Sequence, residues 1–101
     1  MRKKILGTLQ RPRLYIFKSN KHIYAQLIDD SKHITLASTS SIKQTNNKYA
    51  TCETAKTVGK IIADKIKKQG FIEVVFDRGH NIYHGKIKAL ADATREEGIN
   101  F

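Results

Sequence analysis

The side chains best suited to chemistry are concentrated in one run, Asp77-Arg78-Gly79-His80-Asn81-Ile82-Tyr83-His84-Gly85-Lys86-Ile87-Lys88. Its guanidinium, imidazoles, phenol and amines are hydrogen-bond donors, and the cations among them suit phosphate. The run follows an apolar stretch, Phe71-Ile72-Glu73-Val74-Val75-Phe76, and leads into the helical pattern Ile87 to Glu97. A buried strand should therefore end here, a loop cross the sheet edge, and a helix begin with Lys86 and Lys88 in its first turn. Lysine opposes the macrodipole at that end of a helix. An anion from outside the chain resolves the conflict, and phosphate fits the free N–H groups of a helix start.

Catalytic readings of the same residues are weak. Asp29, Asp30, Asp77 and Asp92 are the carboxylates to consider for two-metal hydrolysis, but Asp29-Asp30 falls in a turn and Asp77 precedes Arg78, a cation able to neutralise it. His80 and His84 with Asp77 have metal-ligand spacing only on a helix, and here they span a loop. Cys52 beside Glu53 has no paired histidine in sequence, so nothing marks it as a nucleophile. The expectation is a protein that is not an enzyme and uses no metal or cofactor.

Composition agrees with an anionic partner. The chain has 101 residues, enough for one domain, and 19 Lys and Arg against 9 Asp and Glu give a net charge of +10. Arg2, Lys3, Lys4, Arg11, Arg13, Lys18 and Lys21 all precede the first acid, Asp29. A basic arm on a folded body points to a polyanion; the alternative is a solvated charged face. No apolar stretch approaches the roughly 18–20 residues of a membrane span. Met1-Arg2-Lys3-Lys4 is not followed by the apolar run of a signal peptide. The one cysteine, Cys52, excludes an internal disulfide and a multi-cysteine zinc site.

The elements that must position these residues follow from periodicity. Residues 1–12 read as an extended arm closed by Pro12, which disfavours helix at Arg11. Strands are expected at 13–18, 22–28 and 33–38, separated by turn chemistry at Ser19-Asn20-Lys21 and Asp29-Asp30-Ser31-Lys32. Leu14, Ile16, Ile23, Ala25 and Leu27 alternate onto the core face. Tyr15, Phe17 and Tyr24 point the other way, either to stack on bases or to pack beneath a helix or the arm. Residues 39–50 are polar and aperiodic. A helix runs from 51 or 52 to about 69, with Ala55, Val58, Ile62 and Ile66 on its apolar stripe and Gly70 at C′. Gly59 inside it suggests close packing against the sheet. Lys56, Lys60, Lys67 and Lys68 lie largely off the stripe, as a solvated face would. The second helix, about 85–97, buries Ile87, Leu90, Ala91 and Thr94, and Ile99 and Phe101 fold back onto the core. The fold class is α/β (α+β): a β-β-β-α-β-α sandwich in which a mixed sheet is covered by two helices and the fourth strand is added in parallel by a right-handed crossover. One domain, 13–101, follows the arm at 1–12.

Several ordered motifs then carry a resemblance. Arg11-Pro12-Arg13-Leu14, Phe17-Lys18-Ser19-Asn20-Lys21-His22-Ile23-Tyr24-Ala25-Gln26, Phe76-Asp77-Arg78-Gly79, Tyr83-His84-Gly85-Lys86-Ile87-Lys88-Ala89-Leu90-Ala91-Asp92-Ala93 and Gly98-Ile99-Asn100-Phe101 together resemble the ribosomal large-subunit protein eighteen family, of bacterial and plastid type. The match covers nearly the whole chain and is weakest at 39–50. The resemblance implies a fold similar to ribonuclease H in topology. It implies a structural role in the large ribosomal subunit, in a plastid or in bacterial cytoplasm, with 5S rRNA, 23S rRNA and neighbouring large-subunit proteins as partners and no membrane or small-molecule substrate. Residue by residue, it implies that Arg2, Lys3 and Lys4 belong to a basic arm reaching into rRNA, and that Arg11 and Arg13 are an anchoring basic pair. It implies that Ser19, Asn20, Lys21 and His22 form a hairpin tip facing 5S rRNA, and that Arg78, Tyr83, His84, Lys86 and Lys88 form a second RNA-facing loop and helix start. Tyr24 joins this set as a candidate base-stacking ring. Many bacterial members of the family carry a longer arm before Arg2, and many have a second glycine where His80 stands. The alternative is a general structured-RNA binder outside the ribosome.

Overall fold

The computed structural model describes residues 11–19, 22–41, 51–79 and 85–101. The expected elements form in the expected order: β1 (Arg13–Lys18), β2 (Ile23–Asp29), β3 (Ile34–Ser40), α1 (Cys52–Lys68), β4 (Val75–Asp77) and α2 (Lys86–Glu96). The sheet order is β3-β2-β1-β4. β1 and β2 pair antiparallel, as do β2 and β3, whereas β4 lies parallel to β1. This is the mixed sheet that a meander followed by a helical crossover produces.

Leu14 and Ile16 of β1 and Ile23, Ala25 and Leu27 of β2 are completely buried, and they meet Ala55, Val58, Ile62 and Ile66 of α1 and Ile87 and Leu90 of α2 in one core. Burying each large aliphatic side chain contributes about 1.5–3 kcal/mol. Both helices therefore cover the same sheet face. Thr51 caps α1 by accepting from the Thr54 N–H at 3.2 Å. At its other end Gly70 adopts φ +90°, and the N–H groups of Gly70 and Phe71 donate to Lys67 O and Ile66 O, the Schellman arrangement that a C′ glycine permits. Lys65 and Gln69 reach from α1 to donate to the carbonyls of Ser38 and Leu36. They thereby engage backbone groups of the edge strand β3, whose exposed carbonyls would otherwise invite another strand.

Two expectations need correction. Gly59 packs against α2 rather than the sheet: a Cβ there would lie 2.5 Å from the Leu90 carbonyl oxygen and 3.0 Å from the Ala93 Cβ. The buried Thr94 hydroxyl stands at the same crossing and donates to Leu90 O at 2.8 Å. The apolar stretch 71–76 is not one buried strand either. Ile72 is 60% exposed and only Val75–Asp77 joins the sheet. The cause is the chain's C-terminal segment: Asn100 N–H donates to Ile72 O, and Val74 N–H donates to Asn100 O. The stretch is thus divided between two partners. Ile99 is buried, and Phe101 stacks on Phe76 with ring centroids 5.0 Å apart beneath the Arg95 guanidinium.

Candidate nucleic-acid interface

Topology points several of the segments that carry candidate residues in one direction. β1 runs toward the hairpin tip at 19–22, and β4, being parallel to it, ends in the same direction. β3 runs antiparallel to β2 and so finishes there too, with Ser40 opposite Tyr24. The loop that begins at Arg78 therefore leaves the sheet in the same direction as the hairpin tip and the end of β3, but from beside Tyr15, three residues of β1 short of Lys18.

His22 is tied into this end. Its Nδ1 lies 3.0 Å from the Ser41 hydroxyl oxygen, which also accepts from the Ile23 N–H at 3.0 Å. With Ser41 holding Nδ1, Nε2 is left as the ring nitrogen able to meet a ligand. Ser41 is fully buried and was not a residue that sequence periodicity could single out. Ser19 accepts from His22 N–H through its hydroxyl, and its own N–H donates to His22 O, which closes the tip. Asn20 and Lys21 lie outside the described residues, as do Arg2, Lys3, Lys4, His80, Tyr83 and His84.

Tyr15, Phe17 and Tyr24 form a stacked row on the sheet face opposite the helices. Ring centroids are 5.2 Å apart for Tyr15–Phe17, with planes 27° apart, and 4.8 Å for Phe17–Tyr24, with planes 8° apart. Of the options open from sequence, packing beneath a helix is excluded for α1 and α2, which occupy the other face, whereas residues 1–10 of the arm lie outside the described residues. All three rings are half-buried, because each covers its neighbour and leaves the remaining area outward. The row ends beside the loop after β4, since Gly79 lies against the Tyr15 ring. Gly79 itself has φ +61°, and its N–H donates to Asp77 Oδ1 at 2.8 Å, a turn chemistry open to Asp and Gly.

At the start of α2, Gly85 occupies the cap with φ +57° and has no side chain to satisfy the first N–H groups; the first turn contains no acid. Lys86 and Lys88 stand in that turn, half-buried and exposed respectively. The helix thus starts with two lysines and no acid in its first turn.

The opposite end of β1 is different. Arg13 lies five residues from Lys18, roughly 17 Å along the strand. Its guanidinium donates through Nε and Nη2 to Asp30 at 3.0 and 3.1 Å and through Nη1 to Asp77 at 2.9 Å. The Asp30 hydrogen bonds, reinforced by Asp77 and opposed by partial burial, raise its pKa above the usual arginine value. Arg11 Nε stands 3.7 Å from Glu73, both largely in solvent. The anchoring basic pair is thus engaged by carboxylates, one of which, Asp77, ends β4 where the loop at Arg78 departs. At the end of β2 Asp29 is buried; its Oδ1 accepts from the Ser31 hydroxyl at 2.6 Å and the Ser31 N–H at 3.0 Å, and the hydroxyl bond chiefly lowers its pKa.

On the helical side, Lys67 pairs with Glu97 and Lys68 with Asp64, the latter at 3.0 Å, as befits a solvated face. No group of three or more metal-binding side chains occurs among the described residues. No helix among them is long and apolar enough to cross a membrane.

Comparison with known proteins places this architecture. The family described as "Ribosomal L18 of archaea, bacteria, mitoch. and chloroplast" matches residues 1–101. The large ribosomal subunit protein uL18c of the alga Pyropia yezoensis is 51% identical, covering 100% of this chain and 88% of its own length. The uL18 proteins of Acaryochloris marina and Lactobacillus delbrueckii subsp. bulgaricus are 50% and 57% identical, covering 100% of this chain and 87% and 86% of their own lengths. On these matches, and with the fold just described, the chain belongs to the L18 family of structural proteins of the large ribosomal subunit.

Proposed function

We propose that this protein binds 5S rRNA with the hairpin tip and the loop after β4, and helps attach that RNA to 23S rRNA within the large subunit. The observation that supports the reading is the Tyr15–Phe17–Tyr24 row on the face that neither helix covers, with Gly79 against Tyr15 and the β1 and β2 ends of the hairpin tip adjoining Phe17 and Tyr24. A-form RNA exposes 2′-hydroxyls, phosphates and unpaired bases rather than a readable major groove. Ser19, Asn20 and His22 supply short polar groups for ribose hydroxyls. Lys21, Arg78, Lys86 and Lys88 supply cations for phosphate, and the α2 N-terminus adds its N–H groups. The rings, with Tyr83, offer stacking surfaces that contribute about 1–3 kcal/mol per base. Arg2, Lys3 and Lys4 extend the cationic surface along the arm, and neighbouring large-subunit proteins complete the surroundings. The protein acts by neutralising phosphate and matching RNA shape, with no bond made or broken.

The test is a titration into refolded 5S rRNA with tRNA as competitor, at about 150 mM salt and again at higher salt. Tight binding that survives tRNA and weakens linearly in log salt supports the reading. Binding that tRNA abolishes reduces the protein to a general structured-RNA binder and overturns the 5S assignment.

A further inference from the structure

Arg13 is the first cation of the folded body, and its chemistry alone would make it a phosphate ligand. Its surroundings argue otherwise. The guanidinium faces two carboxylates, Asp30 with two hydrogen bonds and Asp77 with one. An RNA phosphate approaching it would meet a guanidinium that already gives three of its five N–H groups to carboxylates, the Nε–Nη2 edge wholly to Asp30. The two acids stand on different elements: Asp30 opens the β2–β3 turn and Asp77 ends β4. Asp77 then divides its carboxylate, accepting from Arg13 through Oδ2 and from the Gly79 N–H through Oδ1. A continuous chain of hydrogen bonds therefore runs from the β2–β3 turn, through Arg13 and Asp77, to the left-handed Gly79 that starts the loop beside Tyr15.

We propose that Arg13 is a positioning residue: it holds Asp77 so that the carboxylate fixes Gly79, presetting Arg78 and Gly79 at the start of the loop after β4 for RNA instead of touching RNA itself. This rests on that loop being an RNA contact, as argued above. Fixing Arg78 and Gly79 in advance spares part of the ordering cost otherwise met on binding.

The experiment compares the full chain with Arg13→Lys, which keeps the charge and loses the fork, and with Asp77→Asn, which loses the charge and keeps the shape. Amide hydrogen exchange is followed at Gly79 and at Ile16 and Ala25 in the ladder, and affinity for refolded 5S rRNA is measured across a salt series. In both variants Gly79 exchange is expected to rise about tenfold with Ile16 and Ala25 unchanged. Affinity is expected to fall about tenfold at an unchanged salt slope. Should Arg13 instead contact phosphate, Arg13→Lys would keep that contact with Gly79 unaltered. Asp77→Asn, by removing a competing anion, would then tighten binding. Either result overturns the proposal. If Arg13→Lys does not fold, Asp77→Asn decides alone, because the two accounts predict opposite signs. A wild-type chain without preference for 5S rRNA over tRNA would sink the reading of the preceding subsection, and Gly79 exchange would still decide the brace.

Discussion

The two faces of the sheet solve different problems with the same alternation of residues. On the helical face, Leu14, Ile16, Ile23, Ala25 and Leu27 are fully buried, and two helices approach closely enough that Gly59 has no room for a methyl group. On the other face, the intervening residues Arg13, Tyr15 and Phe17 of β1 and Tyr24 of β2 form ion pairs and stacked rings that stay half-open. The first face closes a core, and its groups are satisfied by one another. The second retains aromatic area and polar edges, which is what a surface needs if it is to exchange water for a ligand. Stability and binding should consequently separate by face.

The largest effect that would break this comparison lies on the helical side. Gly59→Val should destabilise the fold by about 3 kcal/mol, since overpacking acts here against backbone rather than a flexible side chain. Thermal unfolding reads it, and unchanged stability would mean that the helices are not in close contact. Charge reversal at the tip or loop tests the other side. Lys21→Glu or Arg78→Glu should lower 5S rRNA affinity by about tenfold or more, with circular dichroism and melting temperature nearly unchanged. Equal affinity in both would remove the loops from the interface. Phe17→Leu should cost about 1–2 kcal/mol of RNA affinity by removing the central ring of the row while keeping most of its apolar bulk. A loss confined to stability would make the row structural. The smallest effect is on pH dependence. Asp29 has a pKa held below the ordinary 3.8 by Ser31, so its ionised form contributes stability above that value and loses it as pH falls through the lower folded value. Ser31→Ala should bring acid unfolding to a higher pH, and an identical acid transition would show that the Ser31 bond contributes nothing.

The helical face was nearly readable in advance. Ala55, Val58, Ile62 and Ile66 repeat at helical spacing, Thr51 and Gly70 mark the ends of α1, and period two assigns the core side of β1 and β2. These signals are local, because caps and faces are set within one or two turns of chain. Even here Gly59 announced close packing without naming its partner, and the apolar residues 71–76 gave no sign that the C-terminal segment would claim part of them. The candidate interface was legible as a list of residue types but not as a place. The stacking of Phe17 on Tyr24 needs the antiparallel register of β1 and β2, and the support of His22 by Ser41 needs β3 to end beside β2. Arg78 was the nearest cation to Asp77 in sequence, yet a cation 64 positions away, Arg13, reaches that carboxylate.

The sequence by itself determined the element order, the two faces of the sheet, the cationic surplus and membership of the L18 family, since these rest on residue type and short-range spacing. Only the tertiary structure decided that β4 runs parallel to β1 and sends its loop in the direction of the tip, that three aromatic rings form a row, and that Arg13 is held by Asp30 and Asp77. Those facts depend on strand direction and register between distant segments, and pairing across such distances is set by closure of the whole core.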